Sequence, residues 1–155
     1  MQAMPSDFAR AQFSPEFEAA LRPLMRERSF AKGVTLYGYG IPADGVYFVE
    51  SGGVRVLLPS GDRQSRLLEV AGKGTILGLS ETMCGESYRV SAEADEQTTV
   101  FFIARIDFMT LLNENHKFSM EVIRVLSDSL HGLYHRFRNV SAHPGRPRRR
   151  VPSEG

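Results

Sequence analysis

Short apolar runs separated by glycines fill the middle of the chain, from Val34 to Ile103. Runs of this kind, rich in β-branched and aromatic residues, are typical of β-strands, and the glycines between them mark tight turns. The pattern predicts six strands, which are Val34–Tyr37, Val46–Glu50, Gly53–Leu58, Arg66–Val70, Arg89–Ala94 and Thr98–Ile103. Strands so short and so closely spaced predict a small antiparallel barrel or a double-layer β-roll.

Helical patterns flank this β-rich region on both sides. The residues from Ser14 to Glu16 form a helix start, with a serine N-cap, a proline in the first turn and an acid facing the helix dipole. After the last predicted strand, the spacing predicts a short helix over Asp107–Asn113 and a long helix from Lys117 to about Val140. The predicted fold class is α+β and mainly β: a jelly-roll-like antiparallel β-roll (a double-stranded β-helix) between an N-terminal helix and a long C-terminal helix.

The long helix carries two apolar stripes. The first alternates intervals of three and four residues, the heptad spacing of a coiled coil, and comprises Ile123, Leu126, Leu130, Leu133, Phe137 and Val140. The second comprises Phe118, Val122 and Val125 and could pack back onto the roll. Since one stripe is enough to attach the helix to its own domain, the other predicts a parallel homodimer. The alternative is that both stripes are covered within one chain.

The composition limits the class of protein. A chain of 155 residues with a formal net charge of +1 suits one globular domain and gives no general reason to expect nucleic acid or a membrane as a partner. The single cysteine excludes an internal disulfide, and no apolar run is long enough to span a membrane. We expect a cytoplasmic protein with a flexible arm at 1–13, a domain at 14–140 that includes the dimer helix at about 117–140, and a disordered tail at 141–155.

The predicted tail is basic, with Arg146 and the run Arg148–Arg150 among its prolines. Such a run either contacts phosphates of nucleic acid or an acidic partner, or is a solvated terminus. Nothing after Val140 has the pattern of a helix-turn-helix, so the sequence argues against specific DNA binding by this chain.

The segment from Ile76 to Ala92 holds the strongest candidate chemistry. A glycine turn at Gly78 leads into a short polar helix, which is followed by Arg89 and Ser91. Backbone N–H groups, a helix N-terminus and a cationic side chain at one place are what an anionic ligand requires. The pattern therefore predicts a pocket for a phosphate or another small anion.

Four features, in order and in register, resemble those of one family. They are Gly40, the strand-and-corner run Tyr47–Val54, the glycines of Gly74–Gly78, and Ser91-Ala92. From Phe30 to Phe137 the chain resembles the cyclic-nucleotide-binding domain of the catabolite activator and fumarate–nitrate regulator (Crp/Fnr) superfamily, without its helix-turn-helix domain. The resemblance implies a sensor whose effector is cyclic AMP or cyclic GMP and whose dimer helix transmits the signal.

Two positions depart from the binding cassette that this resemblance implies. That cassette has a glutamate after the second glycine, for the ribose, and an arginine before Ser/Thr-Ala, for the cyclic phosphate. Here Leu79 and Val90 stand at those positions, while Glu81 lies two residues late and Arg89 one residue early. A one-residue shift in a strand turns a side chain to the opposite face unless a bulge intervenes. Loss of the charge-assisted bond forfeits about 1.5–3 kcal/mol.

The candidate ligand-binding residues follow the cassette in spite of these departures. They are Gly78, Leu79, Ser80, Glu81, Arg89, Val90, Ser91 and Ala92, and the resemblance adds Tyr134, on the long helix, as the contact to the base.

Other chemistries have weaker support. A cupin metal site needs histidines on the strands, whereas the four histidines, His116, His131, His135 and His143, all lie in or after the C-terminal helices. His131 and His135 are spaced to share a metal ion, but two ligands make a poor site, and a solvent-facing pair is the simpler interpretation. Cys84, near the end of the cassette helix, is expected to be an inert thiol. No nucleophile–base pair or Walker-type loop supports an enzyme.

The sequence therefore predicts a non-enzymatic, homodimeric sensor that binds a small anionic or nucleotide-like effector and signals to a protein partner. Two alternatives stay open. One is a Crp/Fnr-type transcription regulator that lacks its DNA-binding domain. The other is a ligand-free dimeric scaffold, which Leu79 and Val90 favour.

Overall fold

A computed structural model of the protein describes residues 14–141, except for the side chains of Arg136 and of residues 139–141. The predicted arm at 1–13 and residues 142–155 of the predicted tail at 141–155 lie outside the described residues, whereas Ser141 is the last residue of the long helix. The side chain of Val140, the last member of the heptad stripe, lies outside them as well.

Eight strands lie in the described part of the chain. Their bounds are β1 Arg26–Phe30, β2 Thr35–Tyr37, β3 Gly45–Ser51, β4 Val54–Pro59, β5 Ser65–Ala71, β6 Ile76–Leu77, β7 Ser91–Ala94 and β8 Thr98–Ala104. The six predicted strands are confirmed with small shifts at their ends. The largest shift is in β7, which begins at Ser91 because Arg89 and Val90 form a bend.

The sequence pattern misses two strands, β1 and β6. The residues of β1, R-E-R-S-F, show no apolar alternation, and this strand lies at the edge of its sheet with mostly exposed side chains. Strand β6 has only two residues, too few to form a period. Both are strands because β8 and β3 supply partners from distant parts of the sequence.

The strands form two four-stranded antiparallel sheets, in the orders β1-β8-β3-β6 and β2-β7-β4-β5. The sheets enclose a roll whose interior is filled by buried side chains of both. Strand β3 is buried on both faces: Tyr47 and Val49 face the roll interior, whereas Val46 and Phe48 face a second core under the helices. The α+β, mainly β class with a β-roll is confirmed.

The described helices are α1 Pro15–Leu21, α2 Leu79–Cys84, α3 Arg105–Glu114 and α4 His116–Ser141, and a 3-10 turn at Arg22–Leu24 follows α1. The hydroxyl of Ser14 caps α1 by accepting from the backbone N–H of Phe17, at 3.2 Å. Pro23 lies in the 3-10 turn, where its lack of an N–H prevents α1 from continuing as a regular helix.

Helix α4 packs onto the domain through Phe118, Val122 and Val125, which are all buried, as the second apolar stripe predicts. The ring of Phe118 stacks on that of Phe17 at 4.3 Å. The Ser14 hydroxyl donates to the carboxylate of Glu121 on the next turn of α4. Helix α1 therefore holds the start of α4 against the second core.

Candidate functional site

The cassette between β6 and β7 is bounded by two glycines in the left-handed conformation. Gly78, with φ of 78°, precedes α2, and Gly85, with φ of 69°, ends it. Gly78 also allows a close approach, because a Cβ there would lie 2.8 Å from the ring of Tyr88. The predicted short helix after Gly78 is thus present, and a protein side chain lies against the turn that opens it.

The return segment, Gly85 to Val90, is hydrogen-bonded to the loop between β2 and β3. The backbone N–H of Gly40 donates to the Tyr88 carbonyl at 2.9 Å, and the N–H of Tyr88 donates to the Ile41 carbonyl at 2.9 Å. The N–H of Tyr39 donates to the Ser91 hydroxyl, also at 2.9 Å. The serine that closes the cassette is therefore already an acceptor within the protein.

Leu79 and Val90, the residues at the two decisive cassette positions, are both buried. Leu79 is 5% exposed and belongs to the core under the helices, together with Phe48 and Phe108. Val90 is 7% exposed and belongs to the roll interior, together with Val56. Neither side chain offers a hydrogen bond or a charge to a ribose or a phosphate.

Arg89 lies on the surface of the cassette. Its side chain is 68% exposed and forms an ion pair with Glu86, and the hydrogen bond that the guanidinium donates to that carboxylate raises the pKa of Arg89. The backbone N–H of Arg89 donates to the carboxylate of Glu81 at 3.2 Å. Since Arg89 precedes β7 in a bend, its direction follows from the Glu86 pair and not from strand alternation.

The remaining predicted residues are dispersed. Ser80 is exposed on α2, and Ala92 is fully buried in the roll interior. Tyr134 is mostly exposed on α4 and is not among the buried residues that pack with the cassette. The structure therefore brings Gly78, Val90 and Ala92 together around the roll interior and leaves the polar candidates at its surface.

Three tyrosines that the sequence analysis did not select fill the roll interior. The rings of Tyr37 and Tyr88 stack at 3.9 Å, and the ring of Tyr47 lies 5.3 Å from that of Tyr37. Burial raises the pKa of Tyr47 to about 12 and raises those of Tyr37 and Tyr88 further, so all three phenols stay neutral at physiological pH. Tyr37 and Tyr47 lie on strands, where the alternation of side chains between the two faces could have identified them as inward-facing. Tyr88 lies outside the strands and helices, so no periodicity marks it.

The cassette helix is joined to the helical layer by polar and apolar contacts. The Thr82 hydroxyl donates to the Gly45 carbonyl at 2.9 Å, and Nε of Arg105, the first residue of α3, donates to the Thr82 carbonyl at 2.8 Å. Leu79 lies in the same buried core as Phe118 of α4. Helix α2 therefore shares a hydrogen bond and a buried core with the helical layer.

Cys84, His131 and His135 take the positions that the sequence suggests. Cys84 is the exposed last residue of α2, and both histidines are exposed on α4. In the part of the chain that the structure describes, no three histidine, cysteine or acidic side chains gather as metal ligands. None of the helices between residues 14 and 141 is both long and apolar enough to cross a membrane.

The structure thus defines a class of small β-roll domain, with paired four-stranded sheets, a glycine-bounded helix between β6 and β7 and a long helix after the roll. The family model for the cyclic nucleotide-binding domain matches residues 27–115, which is more than half of the chain. The chain therefore belongs to the cyclic nucleotide-binding domain family. The match supports a ligand-sensing regulatory module, a kind of domain that is normally non-enzymatic.

Solved structures share the fold. The N-terminal domain of a transcriptional regulator from Streptomyces coelicolor A3(2) is 24% identical, with a TM-score of 0.68 over 79% of this chain and 87% of that one. A cyclic nucleotide-binding domain from Methylobacillus flagellatus KT is 21% identical, with a TM-score of 0.72 over 89% and 79%. The catabolite activator protein of Thermus thermophilus is 22% identical, with a TM-score of 0.72, and the match covers 84% of this chain but only 61% of that protein. No curated protein sequence matches the chain significantly.

The close contact at Gly78 gives a direct test of the cassette geometry. Gly78→Ala is expected to lower the free energy of unfolding by about 2–5 kcal/mol, because a left-handed alanine costs about 1–2 kcal/mol and its contact with Tyr88 adds about 1–3 kcal/mol. Urea denaturation followed by circular dichroism measures the change. Gly33→Ala is the matched control, since Gly33 has φ of 87° with open space around its Cβ position. Equal losses in the two variants would show that the Tyr88 contact is unimportant.

Proposed function

We propose that this chain is a homodimeric effector-sensing module in which the segment Gly78–Ala92 receives the signal and α4 passes it to a protein partner. One observation carries the proposal. Leu79, the first residue of the cassette helix, lies in the same buried core as Phe108 of α3 and Val122 of α4. The segment that defines the family's ligand site thereby shares one buried core with α3 and with the start of α4.

The coupling would work through a two-state rearrangement of this core. Packed cores have discrete arrangements and do not deform continuously, so a shift of α2 changes which packing of α3 and α4 is preferred. The bond from Arg105 to the Thr82 carbonyl ties the end of α2 to the start of α3 and makes the two move together. An effector needs only to favour one position of α2 to change the angle of α4.

The exposed face of α4 supports a second copy of the chain as its partner. Ile123, Leu130, Leu133 and Phe137 are all exposed within one protomer, while Leu126 is partly buried against the second core. A continuous apolar stripe on a helix is typical of a coiled-coil seam. Pairing of two α4 helices would cover this stripe and place two cassettes on one signalling element.

Family membership and the side chains of the cassette disagree on the identity of the effector. Family membership suggests cyclic AMP or cyclic GMP, but Leu79 and Val90 supply neither the acid nor the cation that such a ligand needs. The same observation favours a second candidate function, a dimeric scaffold whose roll holds no ligand. Both candidates need α4 as the element that a partner recognises.

Truncation of Leu79 tests the coupling without knowledge of the effector. Leu79→Ala should raise amide hydrogen exchange of α4 between Phe118 and Leu126 roughly tenfold or more, because it opens a cavity in the shared core. Leu67→Ala is the control, since Leu67 lies exposed on β5 away from that core. Unchanged exchange on α4 in Leu79→Ala would contradict the proposed route from cassette to helix.

A further inference from the structure

We infer that Tyr88 determines ligand specificity in this module. Its ring fills the part of the roll interior beside Gly78, where a bound nucleotide would have to lie, so the protein as folded binds neither cyclic AMP nor cyclic GMP. The inference rests on the proposed function in one respect, the assignment of Gly78–Ala92 as the effector segment. It goes beyond that function by identifying Tyr88, a residue of the protein, as the group that occupies the ligand site.

The position of Tyr88 is held at both ends of its side chain. The ring lies against Gly78, so closely that a Cβ on that residue would be 2.8 Å from it. The hydroxyl donates to the Gly45 carbonyl at 2.7 Å or to the Asp44 carboxylate at 2.8 Å, and it accepts the N–H groups of both residues at 3.3 Å. Tyr88 is 1% exposed. A ring with this many partners is a built part of the interior.

The neighbouring side chains continue the filling. Tyr37 stacks on Tyr88 with an interplanar angle of 23°, and Tyr47 lies tilted against Tyr37. Val90 packs in the same buried cluster, at the position where the resemblance implies a phosphate-binding arginine. A cyclic nucleotide could enter this interior only by displacing buried aromatic rings and breaking the hydrogen bonds of Tyr88.

The charges around the cassette also disfavour a phosphate. The guanidinium of Arg89 is paired with Glu86 at the surface, and that of Arg105 donates to the Thr82 carbonyl. The Ser91 hydroxyl already accepts the N–H of Tyr39. The two arginines that contact the cassette therefore already have partners, and a cyclic phosphate there would lack the cation that the resemblance implies at position 90.

Calorimetric titration of the full chain with cyclic AMP and with cyclic GMP tests the inference. We expect no saturable heat, which corresponds to a dissociation constant weaker than about 1 mM. Nuclear Overhauser contacts between the Tyr88 ring and the α-protons of Gly78 should be unchanged by either nucleotide. Saturable binding tighter than about 1 mM, or loss of these contacts on adding nucleotide, would overturn the inference.

A variant that restores the positive charge distinguishes the effect of the Tyr88 ring from the effect of the missing cation. Val90→Arg places a guanidinium at the position that the resemblance implies, while Tyr88 stays in place, and we expect it to bind neither nucleotide. Binding by Val90→Arg would show that charge alone excludes the ligand and that the ring does not fill its place. If this variant does not fold, the wild-type titration and the ring contacts still decide.

The outcomes also distinguish this inference from the proposed function. Nucleotide binding by the wild-type chain would contradict the inference about Tyr88 but would agree with the proposed sensor function. Absence of nucleotide binding, combined with unchanged amide hydrogen exchange of α4 in Leu79→Ala, would contradict the proposed coupling but would agree with a roll interior filled by Tyr88.

Discussion

The double variant Leu130→Asp, Leu133→Asp is expected to be a folded monomer of 17.3 kDa, whereas the proposed dimer predicts twice that mass for the unaltered chain in solution. Both leucines are exposed on α4 and belong to the stripe that we propose as the dimer seam. In a seam, aspartates would bring like charges together in a desolvated place, and two apolar anchors would be lost from each helix. The dimer dissociation constant should rise roughly 100-fold or more.

Multi-angle light scattering over a concentration series measures this effect, and circular dichroism checks that the roll is intact. Ile106→Asp is the matched control, since Ile106 is 74% exposed on α3, away from the stripe. This control should keep the dimer mass. A monomeric unaltered chain, or a double variant that dimerises as well as the control, would show that α4 is not the seam.

Phe118→Ala is expected to lower the free energy of unfolding by about 3–5 kcal/mol, the usual cost of emptying a buried aromatic position. Phe118 is buried at the start of α4, stacked on Phe17 at 4.3 Å and edge-on to Phe108 at 5.5 Å. Its removal therefore loosens α1, α3 and α4 from one another. Two aromatic contacts are lost together, which adds to the cost of the cavity.

Urea denaturation followed at far-ultraviolet wavelengths measures the change in stability. Tyr39→Ala is the control, because the Tyr39 ring is mostly exposed and its recorded hydrogen bond comes from the backbone N–H. That substitution should change stability by no more than about 0.5 kcal/mol. A loss below about 1 kcal/mol in Phe118→Ala would mean that the helical layer is held by other contacts.

The fold could be predicted from the sequence where the signal is local. Glycine-separated apolar runs identify six of the eight described strands, and the two stripes of α4 separate its buried face from its exposed one. Strand β1 could not be predicted, because Arg26–Phe30 becomes a strand through pairing with β8, more than sixty residues later in the chain. Pairing partners at such a distance leave no trace in local periodicity.

The site was predictable in its backbone and not in its side chains. Gly78 is in the left-handed conformation and Ala92 is buried, and both lie where the motif implies. The direction of Arg89 is set by Glu86, an exposed neighbour whose pairing no motif specifies. The burial of Tyr88 depends on Asp44 and Gly45, which are far from it in sequence. Interiors assembled from such contacts are visible only in three dimensions.

The burial of β3 on both faces has a consequence for the order of folding. Tyr47 and Val49 complete the roll interior, while Val46 and Phe48 form the floor on which the helices pack. The helical layer therefore has no surface to dock on until the long-range pairing of β3 with β8 exists, and that pairing is slow to form because of the chain that it must close. We therefore expect the roll to form before the helical layer and to exchange its amide hydrogens more slowly than the helices do.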